Sequence, residues 1–195
     1  MRLNYQHYLW LDAFGCNLHP CIAADIKDRE NLVVADIATG TGLVQSPRKV
    51  NTPSSLAPNL TSISIWLHDM SRVLPSSTKL EGLDIDLEQC PPPDWAPPNV
   101  SYRQSDALAP VPQDMLSRYD VIHLRHFVTV VRGNDPMTLI NNLISMLKPG
   151  GWIQWSEWDI GTRNLCKARP ETPSKCMERV DEEIGNIKSA SNLAR

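Results

Sequence analysis

The stretch Val33-Val34-Ala35-Asp36-Ile37-Ala38-Thr39-Gly40-Thr41-Gly42 most limits what this chain can fold into. A β-branched run ends in an acid and then breaks into small residues. The run suits a buried parallel strand, and glycines without a Cβ let a ligand come close to the loop backbone. Several classes of nucleotide-type site begin this way, so the residues that follow must decide among them. From Leu43 to Ser64 the chain abandons the pattern it has just set up.

The rest of the sequence alternates strand and helix signals. Met1 to Phe14 carries Leu3, His7, Leu9, Trp10 and Leu11, which predicts a short helix ending near Gly15, and Pro20 bars much continuation. Residues 32–37 form the first predicted strand, and Ile65, Trp66, Met70, Val73 and Leu74 a loose helix stopped by Pro75. Lys79 to Asp86 reads as a strand ending in acids, Val100 to Arg103 as a strand running into Asp106, and Tyr119 to Leu124 as another. Asp135-Pro136 opens a helix with a capping acid followed by proline at its first position. Ile140, Leu143, Ile144 and Leu147 share its expected apolar face. Lys148-Pro149-Gly150-Gly151 stops that helix, and a fifth strand starts at Trp152. A last helix carries Cys176, Met177, Val180, Ile184 and Ile187.

This alternation predicts an α/β fold, a Rossmann-like parallel sheet with helices on both faces. In such a sheet ligands sit beyond the carboxyl ends of the strands. The weight therefore falls on Asp36 to Gly42, Asp84, Asp106 and the stretch from His123 to His126.

Composition narrows the class. At 195 residues the chain fits one domain, 1–195, with residues 1–30 as a helical cap. A net charge of −3 without a Lys/Arg run argues against nucleic-acid and membrane-surface partners. Sixteen prolines against nine glycines cluster around 47–58, 91–98 and 110–112, which marks those stretches as loops. Five cysteines without CxxC spacing indicate neither a zinc site nor a disulfide framework, so no metal is expected and the thiols are read as reduced inside a cell. No apolar run fits a signal peptide or a bilayer span, and the two glycosylation sequons, at Asn59 and Asn99, are read as chance. The expected location is cytoplasmic. The sequence leaves the oligomeric state open.

Dinucleotide, phosphate and S-adenosylmethionine (SAM) sites remain to be separated. A dinucleotide site wants a third glycine, but Leu43-Val44-Gln45 follows Gly42, and the lysine of a P-loop is absent too. What is left is Asp-x-Ala-x-Gly-x-Gly with acids after the next two strands. These residues resemble class I SAM-dependent methyltransferases. Asp36 to Gly42 looks like their motif I, Leu83-Asp84-Ile85-Asp86 the acidic end of their second strand, and Ser105-Asp106-Ala107 their adenine-contacting loop. Leu147 to Gly151 is similar to the turn before their fifth strand. The opening Arg2 to His7 and the closing Gln154 to Asp159 are similar to the methyltransferases of filamentous fungi that decorate secondary metabolites.

The resemblance implies SAM as cofactor, with Asp36, Ala38, Gly40, Gly42, Asp84, Asp106 and Ala107 as its binding residues. Gly40 and Gly42 would admit the amino-acid end of the cofactor, Asp84 would accept both ribose hydroxyls, and Asp106 the adenine amino group. Asp36 would meet the ammonium or orient the loop. Ala38 departs from the commoner glycine of motif I. Asp36 and Asp106 also fit plain helix caps, and Asp86 and Glu88 read as solvated loop acids. Methyl transfer needs positioning and a base for an oxygen or nitrogen acceptor. His123, His126 and Glu157 follow the fourth and fifth strands, and His126 is the expected base or acceptor-orienting residue. Glu157 and Trp155 fit the acceptor pocket or an ordinary strand face, and Gln6 and His7 a closure over the cofactor or a helix surface.

Residues 43–64 are aperiodic and interrupt the position where the first helix should follow the glycine loop. Removing them joins Gly42 to Ile65 and restores the family pattern, which points to translation of a retained short intron; a lineage-specific surface loop is the alternative. The family closes with two further strands after the helix following strand five. Those strands are expected to be missing here, which would leave an uncovered sheet edge and an incomplete acceptor pocket. The functional expectation is methyl transfer from SAM to an oxygen or nitrogen of a small molecule in secondary metabolism. A non-catalytic methyltransferase-like regulator and an inactive fragment are the alternatives.

Overall fold

The structure, a computed structural model, describes residues 2–39, 65–88, 90, 93–127, 130–131, 133, 135–157, 169, 171, 173–180 and 182–183. Gly40, Gly42, the 43–64 segment, Trp158, Asp159, Ile184 and Ile187 lie outside the described residues. The chain divides into two compact units, Met1–Glu157 and Trp158–Arg195. In the second, residues 175–180 are helical, and the Ser174 carbonyl accepts the Glu178 N–H at 2.9 Å.

The first unit runs α1 (Arg2–Phe14), α2 (Pro20–Ile26), β1 (Val33–Ile37), α3 (Ile65–Val73), β2 (Lys79–Asp84), β3 (Val100–Gln104), β4 (Tyr119–Arg125), α4 (Met137–Met146) and β5 (Leu147–Ser156). Its five strands pair in the order β3-β2-β1-β4-β5, every pair parallel. The order reverses between β1 and β4, which creates the switch point at the carboxyl ends of those strands. The expected strands and helices are present, with local differences. The first helix ends at Phe14, as expected, and Pro20 opens a second one that the sequence reading did not include: its fixed φ suits the first helical position, and His19 Nδ1 accepts the Cys21 N–H at 3.3 Å. Asp135 was expected as the cap with Pro136 at the first helical position, but Pro136 itself is the N-cap of α4 and Asp135, one residue earlier, accepts the Met137 N–H at 2.9 Å. Its buried stripe is Leu139, Leu143 and Met146, while Ile144 is exposed, because counting from Leu139 satisfies the same helical period.

The period-2 alternation of the strands sorts the core into two layers. Val34, Leu80 and Val121 face α2 and α3, packing with Ile22, Ile26, Trp66, Leu67 and Met70. Ala35, Ile37, Leu83, Ile122 and Leu124 face α4, packing with Met115, Leu139, Leu143 and Met146. A nine-residue helix such as α3 is marginal alone. Burying Leu67 and Met70 contributes about 1.5–3 kcal/mol each, so packing rather than propensity holds it.

One row across the α3 face breaks the apolar pattern. The register aligns Tyr102, Gly82, Asp36, His123 and Gln154, one residue from each strand in sheet order. The row two residues earlier, Val100, Leu80, Val34, Val121 and Trp152, is apolar. The polarity therefore switches on just before the carboxyl edge, where a ligand would lie.

Two backbone features shape that edge. Gly82 leaves no room for a side chain, since an added Cβ would sit 2.6 Å from the Tyr102 ring and 2.8 Å from the Thr39 methyl. Ala38, directly after β1, takes φ +57°, the left-handed region that suits glycine. Ala38→Gly is therefore expected to be neutral or to stabilise by up to about 1 kcal/mol. Gly82→Ala is expected to destabilise by about 1–3 kcal/mol through overpacking. Urea unfolding of both variants measures this, and a destabilised Ala38→Gly would contradict the strain at that turn.

Candidate functional site

Asp36 sits at the carboxyl end of β1, buried, with both carboxylate oxygens engaged. Oδ2 accepts the Thr39 hydroxyl at 2.8 Å, which folds the start of the loop back onto the strand. Oδ1 lies 2.7 Å from His123 Nδ1. His123 was expected beyond the fourth strand, but it belongs to β4 itself and is 2 % exposed. Its ring stacks on Trp66 of α3, centroids 3.9 Å apart and planes 3° from parallel. Burial works to raise the Asp36 carboxyl, yet the hydrogen bonds from His123 and Thr39 hold it below the usual carboxylate range. Burial pushes the His123 imidazole below its ordinary value against the pull of Asp36. The pair is thus a carboxylate and a neutral imidazole donating from Nδ1. His123 Nε2 is then a lone pair, buried and without a hydrogen-bond partner among the described residues.

The other cofactor-type acids follow the neighbouring strands. Asp84 ends β2, is buried, and accepts the Asp86 N–H on Oδ1 at 3.1 Å. Its carbonyl accepts the Ser105 N–H at 2.7 Å, which binds the loop after β3 to the end of β2. Asp106 is exposed and closes an Asx turn by accepting the Leu108 N–H at 2.9 Å. Asn142 of α4 fixes this loop by donating to the carbonyls of Ala107 and Ala109, both at 2.9 Å. Asp86 and Glu88 are exposed, as expected for loop acids. With strands about 4.8 Å apart, the ends of β1, β2 and β3 place three acids along roughly 10 Å of edge. A nucleoside bearing hydroxyl and amino donors fits such a row of acceptors. Cys90, half-buried nearby, has its thiol pushed up to about 11 by burial and by the charges of Asp84 and Asp86.

His126 follows β4 with φ +56° and donates its N–H to the Ser156 carbonyl at 3.1 Å. Its ring meets Trp10 of α1 edge-on, 5.1 Å between centroids. Burial holds this imidazole below its ordinary value, with Glu157 pulling the other way and Arg125 reinforcing the drop. Glu157 clamps the turn: Oε1 accepts both the Phe127 N–H and the Trp155 indole N–H at 2.6 Å. His7 is a buried tie rather than a helix-surface residue. Arg125 donates to its Nδ1 at 3.3 Å, and its Nε2 donates to Asp69 of α3 at 2.9 Å. Beneath α1 lies a cavity of about 390 Å³ whose walls include Trp10, Phe14, His123, Arg125, Trp152 and Trp155.

The structure thus brings Asp36 and His123 into contact, sets Asp84 and the Asp106 loop beside them, and puts His126 near Trp10 across the switch point. Gly40 and Gly42 lie outside the described residues. Sequence reasoning treated Asp36 and His123 separately and overlooked Gly82 and the tie made by Arg125. Strand parity was the available signal, since counting along β1 and β4 puts Asp36 and His123 on one face.

These groups make stability depend on pH. His7, His68, His123 and His126 are all pushed below 6.5, chiefly by burial, so the unfolded chain protonates first and stability is lost as pH falls below that value. Asp36, held low, adds a further loss only as pH falls below its ordinary 3.8. Each histidine can contribute up to about 1.4 kcal/mol per pH unit in its window. Urea unfolding between pH 7.5 and 5 is expected to show falling stability, with a shallower slope for His123→Asn. A flat profile would contradict these protonation states.

A family model described as "Methyltransferase domain" matches residues 10–195. Methyltransferase grgD of Penicillium sp is 29% identical over 158 residues, 81% of this chain and 48% of that protein. N-methyltransferase tcpN of Claviceps purpurea is 31% identical over 135 residues, 67% of this chain and 48% of that protein. The chain spans about half the length of these curated relatives. A solved SAM-dependent methyltransferase from Aquifex aeolicus aligns over 84% of this chain and 78% of its own, at 17% identity and TM-score 0.47. The parallel five-stranded sheet is that of the Rossmann-like methyltransferase fold, and no helix among the described residues is long and apolar enough to cross a membrane. With its sequence matched by the family model almost throughout, the chain belongs to the methyltransferase-domain family, whose cofactor is S-adenosylmethionine.

Proposed function

We propose that this chain binds SAM along the carboxyl edge of β1, β2 and β3, and passes its methyl group to an oxygen or nitrogen of a small molecule. The observation that carries this reading is the row of acids on adjacent strand ends, Asp36, Asp84 and Asp106, linked through the Thr39 and Ser105 contacts. Bound there, SAM supplies an electrophilic methyl group on a sulfonium. Asp84 holds the ribose hydroxyls, Asp106 and Ala107 the adenine edge, and Asp36 orients the loop or meets the ammonium. Ala38, Gly40 and Gly42 form the close-approach backbone. His126, neutral at physiological pH, takes the proton from the acceptor heteroatom.

A tailoring role in secondary metabolism is supported by the fungal relatives, several of which carry the name N-methyltransferase. We place the reaction in the cytoplasm, in keeping with the free thiols at Cys16, Cys21, Cys90 and Cys176. The fold needs a helix N-terminus beside the cofactor carboxylate, where its dipole favours an anion. Here the first described helix after the loop starts only at Ile65. Residues 43–64 are therefore proposed to weaken cofactor binding.

Titration calorimetry of the full chain with SAM tests the reading. Asp84→Asn is expected to weaken binding by about 10-fold or more, because a hydrogen bond to a charged acceptor contributes about 1.5–3 kcal/mol. A chain lacking 43–64 is expected to bind more tightly than the full chain, and equal affinities would defeat that part. With an acceptor that turns over, His126→Ala is expected to lower kcat by roughly 100-fold or more without changing SAM affinity. No SAM binding to either chain would overturn the function.

A further inference from the structure

The cavity beneath α1 has a chemistry of its own. Its volume of about 390 Å³ is that of a small-molecule pocket, and its walls include the aromatic side chains of Trp10 and Phe14 from α1 and Trp152 from β5. The polar groups around it are mostly engaged elsewhere. Trp152 donates its indole N–H to Asp25 at 2.8 Å, and Trp155 donates to Glu157. Gln154 accepts the His19 N–H at 2.8 Å and donates to the Asn17 carbonyl at 3.0 Å. His123 and Arg125 of the wall keep polar capacity toward a ligand.

His123 is 2 % exposed, and its Nε2 has no partner among the described residues. A buried polar atom left unsatisfied is costly, and native structures rarely keep one without a ligand, water or functional reason. In the neutral imidazole that burial favours, Nδ1 donates to Asp36 and Nε2 accepts. The missing partner is therefore a hydrogen-bond donor. The Arg125 guanidinium gives one N–H to His7 at 3.3 Å and has further donors for an oxygen. It also lies 5.9 Å from the Trp10 ring centroid, which holds it in the wall.

We propose that this cavity is a binding site for a flat aromatic molecule bearing a phenolic O–H or ring N–H, which donates to His123 Nε2 while its ring lies among the tryptophans. His123 is the specificity-determining contact, and Asp36 fixes the tautomer that makes it an acceptor. Arg125 attracts the same heteroatom or a neighbouring oxygen of the ligand. His126, edge-on to Trp10 and bonded to Ser156 of the cavity wall, stands at the border between this chamber and the cofactor edge. That the ligand is the methyl acceptor rests on the methyl-transfer reading above.

The test uses the full chain and two probes of one shape, 2-naphthol and 2-methoxynaphthalene, titrated by calorimetry. The wild type is expected to bind 2-naphthol about tenfold more tightly, the scale of one hydrogen bond to a buried acceptor. Equal affinities, or no binding of either probe, would overturn the proposal. His123→Asn keeps a side-chain N–H for Asp36 but removes the Nε2 acceptor, so the preference is expected to vanish; a persisting preference would overturn it. Phe14→Ala, at an exposed wall position, is expected to weaken both probes together and keep their ratio. Should the His123 variant fail to fold, nitrogen-15 NMR of the wild-type histidines decides. The His123 Nε2 resonance moves with 2-naphthol and not with the methoxy analogue, and an unmoved resonance counts against the site. A parallel S-adenosylhomocysteine titration separates the two readings. Naphthol binding without nucleoside binding removes the methyl-transfer reading and keeps the cavity, and the reverse removes the cavity alone.

Discussion

The contact between the Asp36 carboxylate and His123 Nδ1 is the constraint on which the rest of the site depends. It joins the two strands between which the sheet order reverses, and it lies in the middle of a row that is polar where the row below is apolar. A buried carboxylate alone would be forced toward its neutral form. Here His123 and Thr39 donate to it, which keeps it charged at neutral pH. The imidazole is in turn held flat against Trp66, so the helix after the cofactor loop is tied to the same pair. Loop, helix and sheet thus share one electrostatic anchor.

Around that anchor the N-terminal helix is integrated through charge as well as packing. His7 bridges Asp69 of α3 and Arg125 of β4, and Trp10 packs beside Arg125 and His126. Removing α1 would strip one wall from the cavity and leave Arg125 without its imidazole partner. Elsewhere buried charge serves the sheet. Glu81 accepts from Arg118 and from the Tyr119 hydroxyl, and Asp120 accepts from Lys148 and the Val33 N–H that opens β1. The acids toward the amino end of β2 and β4 are paired with lysine, arginine and tyrosine, while Asp36, at the carboxyl end of β1, accepts from His123 and Thr39.

Much of this was legible in the sequence. The strand runs expected from Leu32, Lys79, Val100 and Tyr119 fall where the strands are, while β5 starts at Leu147, so that Leu147, expected on the helix face, and the expected turn 148–151 belong to the strand expected from Trp152. The acids expected after successive strands, Asp36, Asp84 and Asp106, do lie at or just beyond the carboxyl ends of β1, β2 and β3. Helix faces were less legible. Leu139 rather than Ile144 turns inward because a ten-residue helix offers several stripes of equal period, and the sheet beneath selects one. Pro20 was read as the limit of the first helix, which does stop before it, and the second helix that it opens went unread. Contacts between distant residues, such as His7 with Asp69 and Asp36 with His123, depend on register, which the linear pattern carries only once strand order is known.

The anchor also holds Thr39 and Trp66, described residues on either side of the undescribed stretch 40–64. Thr39, just past the end of β1, is bonded to Asp36, and Trp66, in the first turn of α3, is stacked on His123. Thr39 and Trp66, 27 positions apart in the sequence, thus bear on the two partners of one buried contact, so the end of β1 and the start of α3 are set by the same pair of side chains.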